Sequence, residues 1–185
     1  MSTNSAAAPK NNLNDADTPK KSVKSRAVQE EIIFNQWATF KVNDELFAID
    51  VMQVKEVLRY SEITPVPGSS SYIRGIINLR GNVVTVLDTR VLFSLKAREP
   101  DDDTRIIVVE YNEQEVVGMV VDSADEVVNI PQDNMERAPS IASEDSDRKF
   151  VQGVSYYENN LVILLDLAKM LASTIPELED SSSAA

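Results

Sequence analysis

The sequence predicts an all-β fold that contains a few short helices and is built from two related halves. Three observations support this prediction. Short apolar runs alternate with turn signals along the chain, which is typical of small barrels. Residues 72–93 align without a gap on residues 150–171 when the chain is shifted by 78 positions. Residues 45–58 align on residues 115–128 at a shift of 70 positions.

The first half contains four predicted strands and two short helical segments. An Asn-Asp pair at 43–44 is a hairpin turn signal between the first two strands. Apolar residues at spacing i, i+3 and i+4 predict a short helix over 52–58. The Gly-Asn pair at 81–82 predicts a tight turn, and Asp88 is placed to cap the helical turn that follows. The predicted strands are WATFKV, ELFAIDV, GIINLR and NVVTVLD.

The pattern restarts after the charged loop 98–104, which is the predicted boundary between the halves. Halves of about 65 residues are marginal alone, so we expect them to pack against each other. Asp166 precedes the last helical segment, as Asp88 does in the first half. The predicted organisation is a disordered tail over 1–35, a body over 36–172 with a first barrel over about 36–97 and a second over about 98–172, and a disordered acidic tail over 173–185.

The composition excludes several classes of function. The chain has no Cys and no His, which removes disulfides, thiol nucleophiles, imidazole bases and the usual zinc ligands. The net charge of −12 argues against nucleic-acid binding. Residues 1–27 are locally basic, with a net charge of +3, and this tail either keeps the protein in solution or touches an anionic membrane surface. No signal peptide or spanning segment is visible, so we expect a cytoplasmic protein.

Residues 72–90, YIRGIINLRGNVVTVLDTR, suggest two kinds of chemical site, a phosphate-binding loop and half of a catalytic aspartate pair. A phosphate-binding loop requires four residues between its glycines, but five separate Gly75 from Gly81, and a strand follows. Asp88 and Asp166 each follow an apolar strand, like the paired carboxylates of aspartic proteases. The glycine that such a site needs after Asp-Thr is missing, and helix N-caps explain both residues better. An acid hydrolase remains a remote alternative.

Binding is the remaining class of function. At the shift of 70 positions, Val54 and Val57 correspond to Ala124 and Val127. If the halves pack face to face, these residues line one groove from both sides, and such a groove could accept a peptide or a helix. The alternative is that they belong to the apolar core between the halves.

Four segments of the chain resemble the CheW family of chemotaxis coupling proteins. The Gly-x-x-Asn-Leu-Arg-Gly run and the later Val-Val-Asp are specific in combination. The resemblance covers about residues 36–172. It implies two SH3-like five-stranded β-barrels packed around a shared core, no catalytic activity, and no cofactor or metal. The matching segments are FAIDVMQVKEV (47–57), YIRGIINLRGNVVTVLDTR (72–90), VVGMVVDSADEVV (116–128) and FVQGVSYYENNLVILLDLAKML (150–171).

The resemblance also implies an adaptor that couples methyl-accepting chemoreceptors to the histidine kinase CheA in membrane-associated arrays. Other CheW-like domains are further implied partners, whereas nucleic acid and small-molecule substrates are not. An adaptor of the same fold in another two-component array, such as that of pilus motility, is the alternative. The implied receptor-binding residues are Val54, Glu56, Val57, Arg80, Ala124 and Val127. The implied kinase-binding residues are Thr64, Arg74 and Ile141.

Overall fold

The computed structural model describes residues 32–111, 115–137 and 149–174. No helix in this part of the chain is long and apolar enough to cross a bilayer. The described strands are β1 (Phe34–Val42), β2 (Glu45–Asp50), β3 (Val54–Arg59), β4 (Ile73–Leu79), β5 (Asn82–Asp88), β6 (Arg105–Glu110), β7 (Val116–Val121), β8 (Ser123–Pro131), β9 (Glu136–Arg137), β10 (Val151–Tyr157) and β11 (Asn160–Leu165). The α-helices are α1 (Thr89–Leu92) and α2 (Leu167–Ala172), and 3-10 turns cover Val51–Gln53 and Gln132–Asn134.

The strands form two sheets that exchange hairpins. The six-stranded sheet has the order β8-β1-β2-β11-β10-β9, and the five-stranded sheet has the order β3-β6-β7-β5-β4. Pairing is antiparallel except between β2 and β11 and between β5 and β7. The β1–β2 hairpin thus joins strands of the second half, and the β6–β7 hairpin joins strands of the first. The predicted division near residue 97 therefore does not separate the two sheets.

The internal repeat appears as two matching hairpins, β4–β5 and β10–β11. The register shifts at a glycine in each hairpin, at Gly75 in β4 and at Gly153 in β10. A Cβ atom at either glycine would lie within 2.5 Å of a backbone carbonyl oxygen. Each hairpin also turns through residues with positive φ, beginning at Arg80 (φ 52°) and at Glu158 (φ 46°). The close backbone approach predicted at Gly75 is therefore present and is repeated in the second half.

The helix predicted over 52–58 is wrong. Val51–Gln53 form one 3-10 turn, capped by Asp50, whose carboxylate accepts a hydrogen bond from the Met52 N–H at 2.9 Å. The chain then continues as β3, which pairs antiparallel with β6. The apolar spacing is compatible with one helical turn, but pairing with a distant strand decides the conformation, because tertiary contacts override local propensity.

The core consists of three apolar clusters. One lies around Trp37 and draws only on the six-stranded sheet and its flanking segments. A second lies around Ile106 within the five-stranded sheet. The largest draws on strands of both sheets, and in it Phe47 contacts Phe40 and Phe93 with ring centroids 6.0 and 4.9 Å apart. Each sheet thus has its own interior, and the two share a larger one, as predicted.

The inner ends of the two predicted tails are ordered parts of the fold. β1 begins at Phe34, within the predicted N-terminal tail. Thr174, within the predicted C-terminal tail, is buried, and its hydroxyl donates a hydrogen bond to the Leu171 carbonyl at 2.9 Å at the end of α2. The remainder of both predicted tails, 1–31 and 175–185, lies outside the described residues.

Candidate partner-binding site

Five of the six predicted receptor-binding residues lie on two edge strands. β3 is an edge of the five-stranded sheet and β8 is an edge of the six-stranded sheet. β3 carries Val54, Glu56 and Val57, and β8 carries Ala124 and Val127. β8 also contacts β6, the strand with which β3 pairs. The two halves of the predicted site therefore lie on sheet edges that approach the same strand.

The two edges expose equivalent valines. Val57 is 48% exposed and Val127 is 51% exposed, and the two correspond at the repeat shift of 70. Val54 is half-buried and packs against the shared core, and Ala124 is half-buried. Val54 therefore belongs to the core, whereas Val57 and Val127 present apolar surface at strand edges, and the groove stays a prediction.

Both edge strands carry a β-bulge among the predicted residues. In β3 the register with β6 shifts between Val54 and Glu56. In β8 the register with β1 shifts between Ala124 and Val127. A bulge bends an edge strand and changes the direction of its side chains, and bulges are common beside functional sites. The bulges therefore determine how each edge presents its exposed valine.

Thr39 stabilises the bulge in β8 and was not predicted. It is buried in β1, and its hydroxyl donates a hydrogen bond to the Glu126 carbonyl at 2.6 Å and accepts one from the Glu126 N–H at 3.2 Å. These bonds satisfy the backbone groups that the bulge removes from the ladder. The sequence carries no local signal for this role, because it depends on pairing with a segment 87 positions away.

Arg80 reaches the β3 edge through an ion pair. It lies in the β4–β5 turn, and its Nη2 atom is 2.8 Å from Oε2 of Glu56. The Arg80 side chain is 77% exposed, whereas that of Glu56 is 22% exposed. Exposed pairs of this kind add little stability. The main effect of the pair is therefore to hold two opposite charges, still accessible to a partner, beside Val57.

The equivalent place in the six-stranded sheet carries two acidic residues. At the repeat shifts Glu56 corresponds to Glu126 and Arg80 corresponds to Glu158. Both glutamates line an open cavity of about 500 Å³. Partial burial and the charges of Glu158 and Glu126 raise the pKa of the Tyr157 hydroxyl. Two glutamates cannot form an ion pair with each other, so at these positions the six-stranded sheet has no counterpart of the Arg80–Glu56 pair.

Two of the residues predicted to contact a kinase lie along β4, the other edge of the five-stranded sheet. Thr64 is exposed and bridges to Ile76 through backbone hydrogen bonds of 2.9 and 2.8 Å. Arg74 lies within β4, where its side chain is 28% exposed and its Nη1 atom is 3.4 Å from the Asp88 carboxylate. The structure thus places both residues on one edge. Ile141 lies outside the described residues.

Asp88 and Asp166 act as helix caps, as the sequence predicts. One carboxylate oxygen of Asp88 accepts hydrogen bonds from the N–H groups of Arg90 and Val91 at 3.0 and 3.2 Å. Asp166 accepts a hydrogen bond from the Lys169 N–H at 3.0 Å. The two aspartates follow strands of different sheets, and each carboxylate binds the backbone of its own helix.

Replacing Asp88 by Ala is expected to lower the free energy of unfolding by about 2–3 kcal/mol, and Asp166→Ala by about 0.5–2 kcal/mol. Asp88 is buried and also pairs with half-buried Arg74, whereas the second partner of Asp166 is the exposed Lys169. Urea denaturation of both variants measures the difference. Equal losses would show that the Arg74 contact adds nothing, and unchanged stability in both variants would contradict capping.

Comparison with known proteins shows which family has this sequence and fold. The sequence model of the CheW-like domain family matches residues 36–174. The chain is 39% identical over 145 residues to chemotaxis protein CheW of Bacillus subtilis (strain 168), covering 78% of this chain and 88% of that protein. It is 32% identical over 134 residues to chemotaxis protein CheW of Rhizobium meliloti (strain 1021), covering 72% and 85%.

A solved structure is also similar. The crystal structure of the scaffolding protein TtCheW from Thermoanaerobacter tengcongensis matches with a TM-score of 0.68 and 30% sequence identity, covering 75% of this chain and 93% of that chain. The two sheets described above therefore have the SH3-like β fold that the resemblance implied. One of them has six strands instead of five, because the two-residue strand β9 adds to its edge. The acid-hydrolase interpretation of Asp88 and Asp166 is wrong, because the matched proteins are chemotaxis scaffolds. The chain belongs to the CheW-like domain family and is a non-enzymatic chemotaxis adaptor.

Proposed function

We propose that this adaptor couples methyl-accepting chemoreceptors to a CheA-type histidine kinase within cytoplasmic arrays at the membrane. The observation that supports the proposal most is the pair of equivalent valines, Val57 and Val127, exposed on two sheet edges that approach the same strand. Isolated exposed valines are ordinary, but matched valines on bulged edges form a surface suited to a partner.

The proposed receptor site consists of Val54, Glu56, Val57, Arg80, Ala124 and Val127. In this proposal the helical tip of a receptor places apolar side chains against the two exposed valines. Apolar anchors supply most of the binding energy at such interfaces, and nearby charges set orientation and association rate. The Arg80–Glu56 pair is suited to the second task, because its guanidinium remains largely exposed.

The kinase contacts in this proposal involve Thr64 and Arg74 on the β4 edge, together with Ile141. A coupling protein has to bind receptor and kinase at the same time, so separate surfaces are required. The receptor valines lie on β3 and β8, whereas Thr64 and Arg74 lie along β4. Other CheW-like domains of the array are further proposed partners.

The proposal predicts that Val57→Asp weakens binding to a purified chemoreceptor cytoplasmic fragment by about 30-fold or more while leaving binding to a CheA-type kinase unchanged. The substitution places a charge in an apolar contact. Because Val57 is half exposed, the fold itself should tolerate the change. Titration calorimetry with each partner measures both affinities, and Arg80→Ala should weaken only receptor binding.

A matched control is Val83→Asp, which makes the same change at a 70% exposed valine of β5 outside the proposed site. Val83→Asp should bind both partners as the wild type does. Failure of the wild-type protein to bind either partner would overturn the coupling role. Equal weakening by Val83→Asp and Val57→Asp would leave the coupling role intact but remove Val57 from the receptor site.

A further inference from the structure

Asp122 lies where the chain crosses from one sheet to the other. β7 ends at Val121 in the five-stranded sheet, and β8 begins at Ser123 in the six-stranded sheet. Asp122 is therefore the single residue between two strands of different sheets. With so short a connection, the position of this residue determines where β8 starts and how it runs.

Four hydrogen bonds hold Asp122 in place. Its carboxylate oxygens accept from Nε and Nη2 of Arg90 at 2.8 and 2.7 Å, and one of them also accepts from the Asn43 N–H at 2.8 Å. Its own N–H donates to the Lys41 carbonyl at 3.0 Å. Arg90 belongs to α1, which follows a strand of the five-stranded sheet, whereas Lys41 and Asn43 belong to the hairpin of the other sheet. Asp122 therefore ties the two sheets together.

The pair between Arg90 and Asp122 is largely shielded from water. The Arg90 side chain is 14% exposed and that of Asp122 is 17% exposed. Burial alone raises the pKa of the Asp122 carboxyl, but the hydrogen bonds from Arg90 and from the Asn43 N–H outweigh burial and lower it. A planar guanidinium that donates two parallel bonds fixes direction as well as distance, which a lysine ammonium cannot do.

The other crossing between the sheets is made without such a pair. At the repeat shifts Arg90 corresponds to Ala168, and Asp122 corresponds to Met52. Met52 is 79% exposed and lies in the 3-10 turn between β2 and β3. The equivalent crossing is thus made by a three-residue turn without an arginine–carboxylate pair. The pair therefore serves something specific to β8.

β8 carries the part of the proposed receptor site that lies on the six-stranded sheet. Ala124 and Val127 follow Asp122 by two and five positions, and Thr39 holds the intervening bulge at Glu126. We propose that Arg90 and Asp122 are positioning residues that fix the direction of β8, so that Val127 lies correctly for receptor binding. This inference rests on the coupling function proposed above and adds residues that do not themselves contact the receptor.

The test is titration of a purified chemoreceptor cytoplasmic fragment into the 185-residue chain, with a CheA-type kinase as the second ligand. Arg90→Ala is expected to weaken receptor binding at least about tenfold, because a contact surface held loosely loses affinity. Arg90→Lys keeps the charge but not the two parallel hydrogen bonds, so it is expected to recover most of the loss while still binding the receptor fragment about threefold more weakly than wild type. Kinase affinity should stay unchanged in both variants.

Asp166→Ala is the control for a purely structural effect. It removes a helix cap and lowers stability, and the hydrogen bonds and ion pair described for Asp166 go to Lys169, Met170 and Phe150, none of them in β8 or α1. It should bind the receptor fragment as the wild type does. Equal receptor affinity for Arg90→Ala and wild type, or an equal loss in Asp166→Ala, overturns the positioning role while the coupling function stands.

Two further outcomes are decisive. If wild type fails to bind the receptor fragment, the coupling function and this inference fall together. If Arg90→Ala does not fold, Arg90→Lys decides the question: affinity about threefold below wild type supports positioning, and wild-type affinity refutes it.

Discussion

Fragments produced by dividing the chain after residue 97 are expected not to fold separately. Residues 1–97 and 98–185 should each show no cooperative thermal transition, and mixing them should restore one. The reason is the exchange of hairpins. Within each half the described chain retains only hairpins, the Thr64–Ile76 bridge and the short β9–β10 pairing, whereas β1–β8, β2–β11, β3–β6 and β5–β7 all join different halves. Isolated hairpins are marginal in water.

Circular dichroism during heating measures this prediction, with the intact chain as reference. A half that unfolds cooperatively by itself would contradict the prediction, because it would mean that sheets can form without the strands contributed by the other half. Restoration of the native spectrum on mixing is the stricter test, since it requires four strand pairings to form between two molecules.

Gly75→Ala should lower the free energy of unfolding by at least about 3 kcal/mol. Gly75 has φ +144°, and a Cβ atom built on it lies 2.2 Å from the Thr64 carbonyl oxygen and 2.8 Å from Cγ2 of Ile63. The Thr64 carbonyl cannot move away freely, because it accepts a hydrogen bond from the Ile76 N–H at 2.8 Å. The added methyl group therefore has to break the bridge that holds the connector against β4.

Gly81→Ala is the matched control. Gly81 also has positive φ, +91°, but no atom lies within 4 Å of its built Cβ. The expected loss is about 1–2 kcal/mol, the cost of a left-handed conformation for an L-residue. Chemical denaturation of both variants isolates the steric contribution. A loss at Gly75 no larger than the loss at Gly81 would show that the Thr64 segment yields easily.

Features that depend on neighbours in sequence could be predicted. Asp88 and Asp166 cap helices because a carboxylate needs only the N–H groups of the next turn, and that geometry is local. The tight turn at Gly81 and the close approach at Gly75 also follow from local backbone requirements. The repeat was visible because equivalent positions keep equivalent residues. These signals led to an all-β fold of two related halves.

Features that depend on which strands pair could not be predicted in this way. The segment 52–58 has helical apolar spacing, but it pairs with β6, and nothing within the segment encodes that pairing. The exchange of hairpins could not be predicted for the same reason. The repeat shows which strands each half contains, but it does not show which strands they pair with. The contacts of Arg90 with Asp122 and of Thr39 with Glu126 join segments distant in sequence.

The candidate site could be predicted only in part. The resemblance selected its positions, and the structure brings Glu56 and Arg80 within 2.8 Å and exposes Val57 and Val127. The bulges that direct these valines arise from pairing, so the sequence alone did not indicate them. The link of Arg90 to β8 through Asp122 could not be predicted, because it joins segments 32 positions apart.

The charges beside the two exposed valines differ, so the two sides of the proposed receptor site are not equivalent. The two halves repeat each other, so in the proposed receptor site a partner made of two similar helices would meet two similar apolar contacts, at Val57 and Val127. One of these valines has the ion pair of Arg80 with Glu56 beside it, and at the equivalent place in the other sheet two glutamates, Glu126 and Glu158, line a cavity that Lys41 also lines. The two ways of seating such a partner therefore differ in electrostatic energy. A receptor tip bound to the proposed site in the favoured orientation would give the proposed array a defined direction.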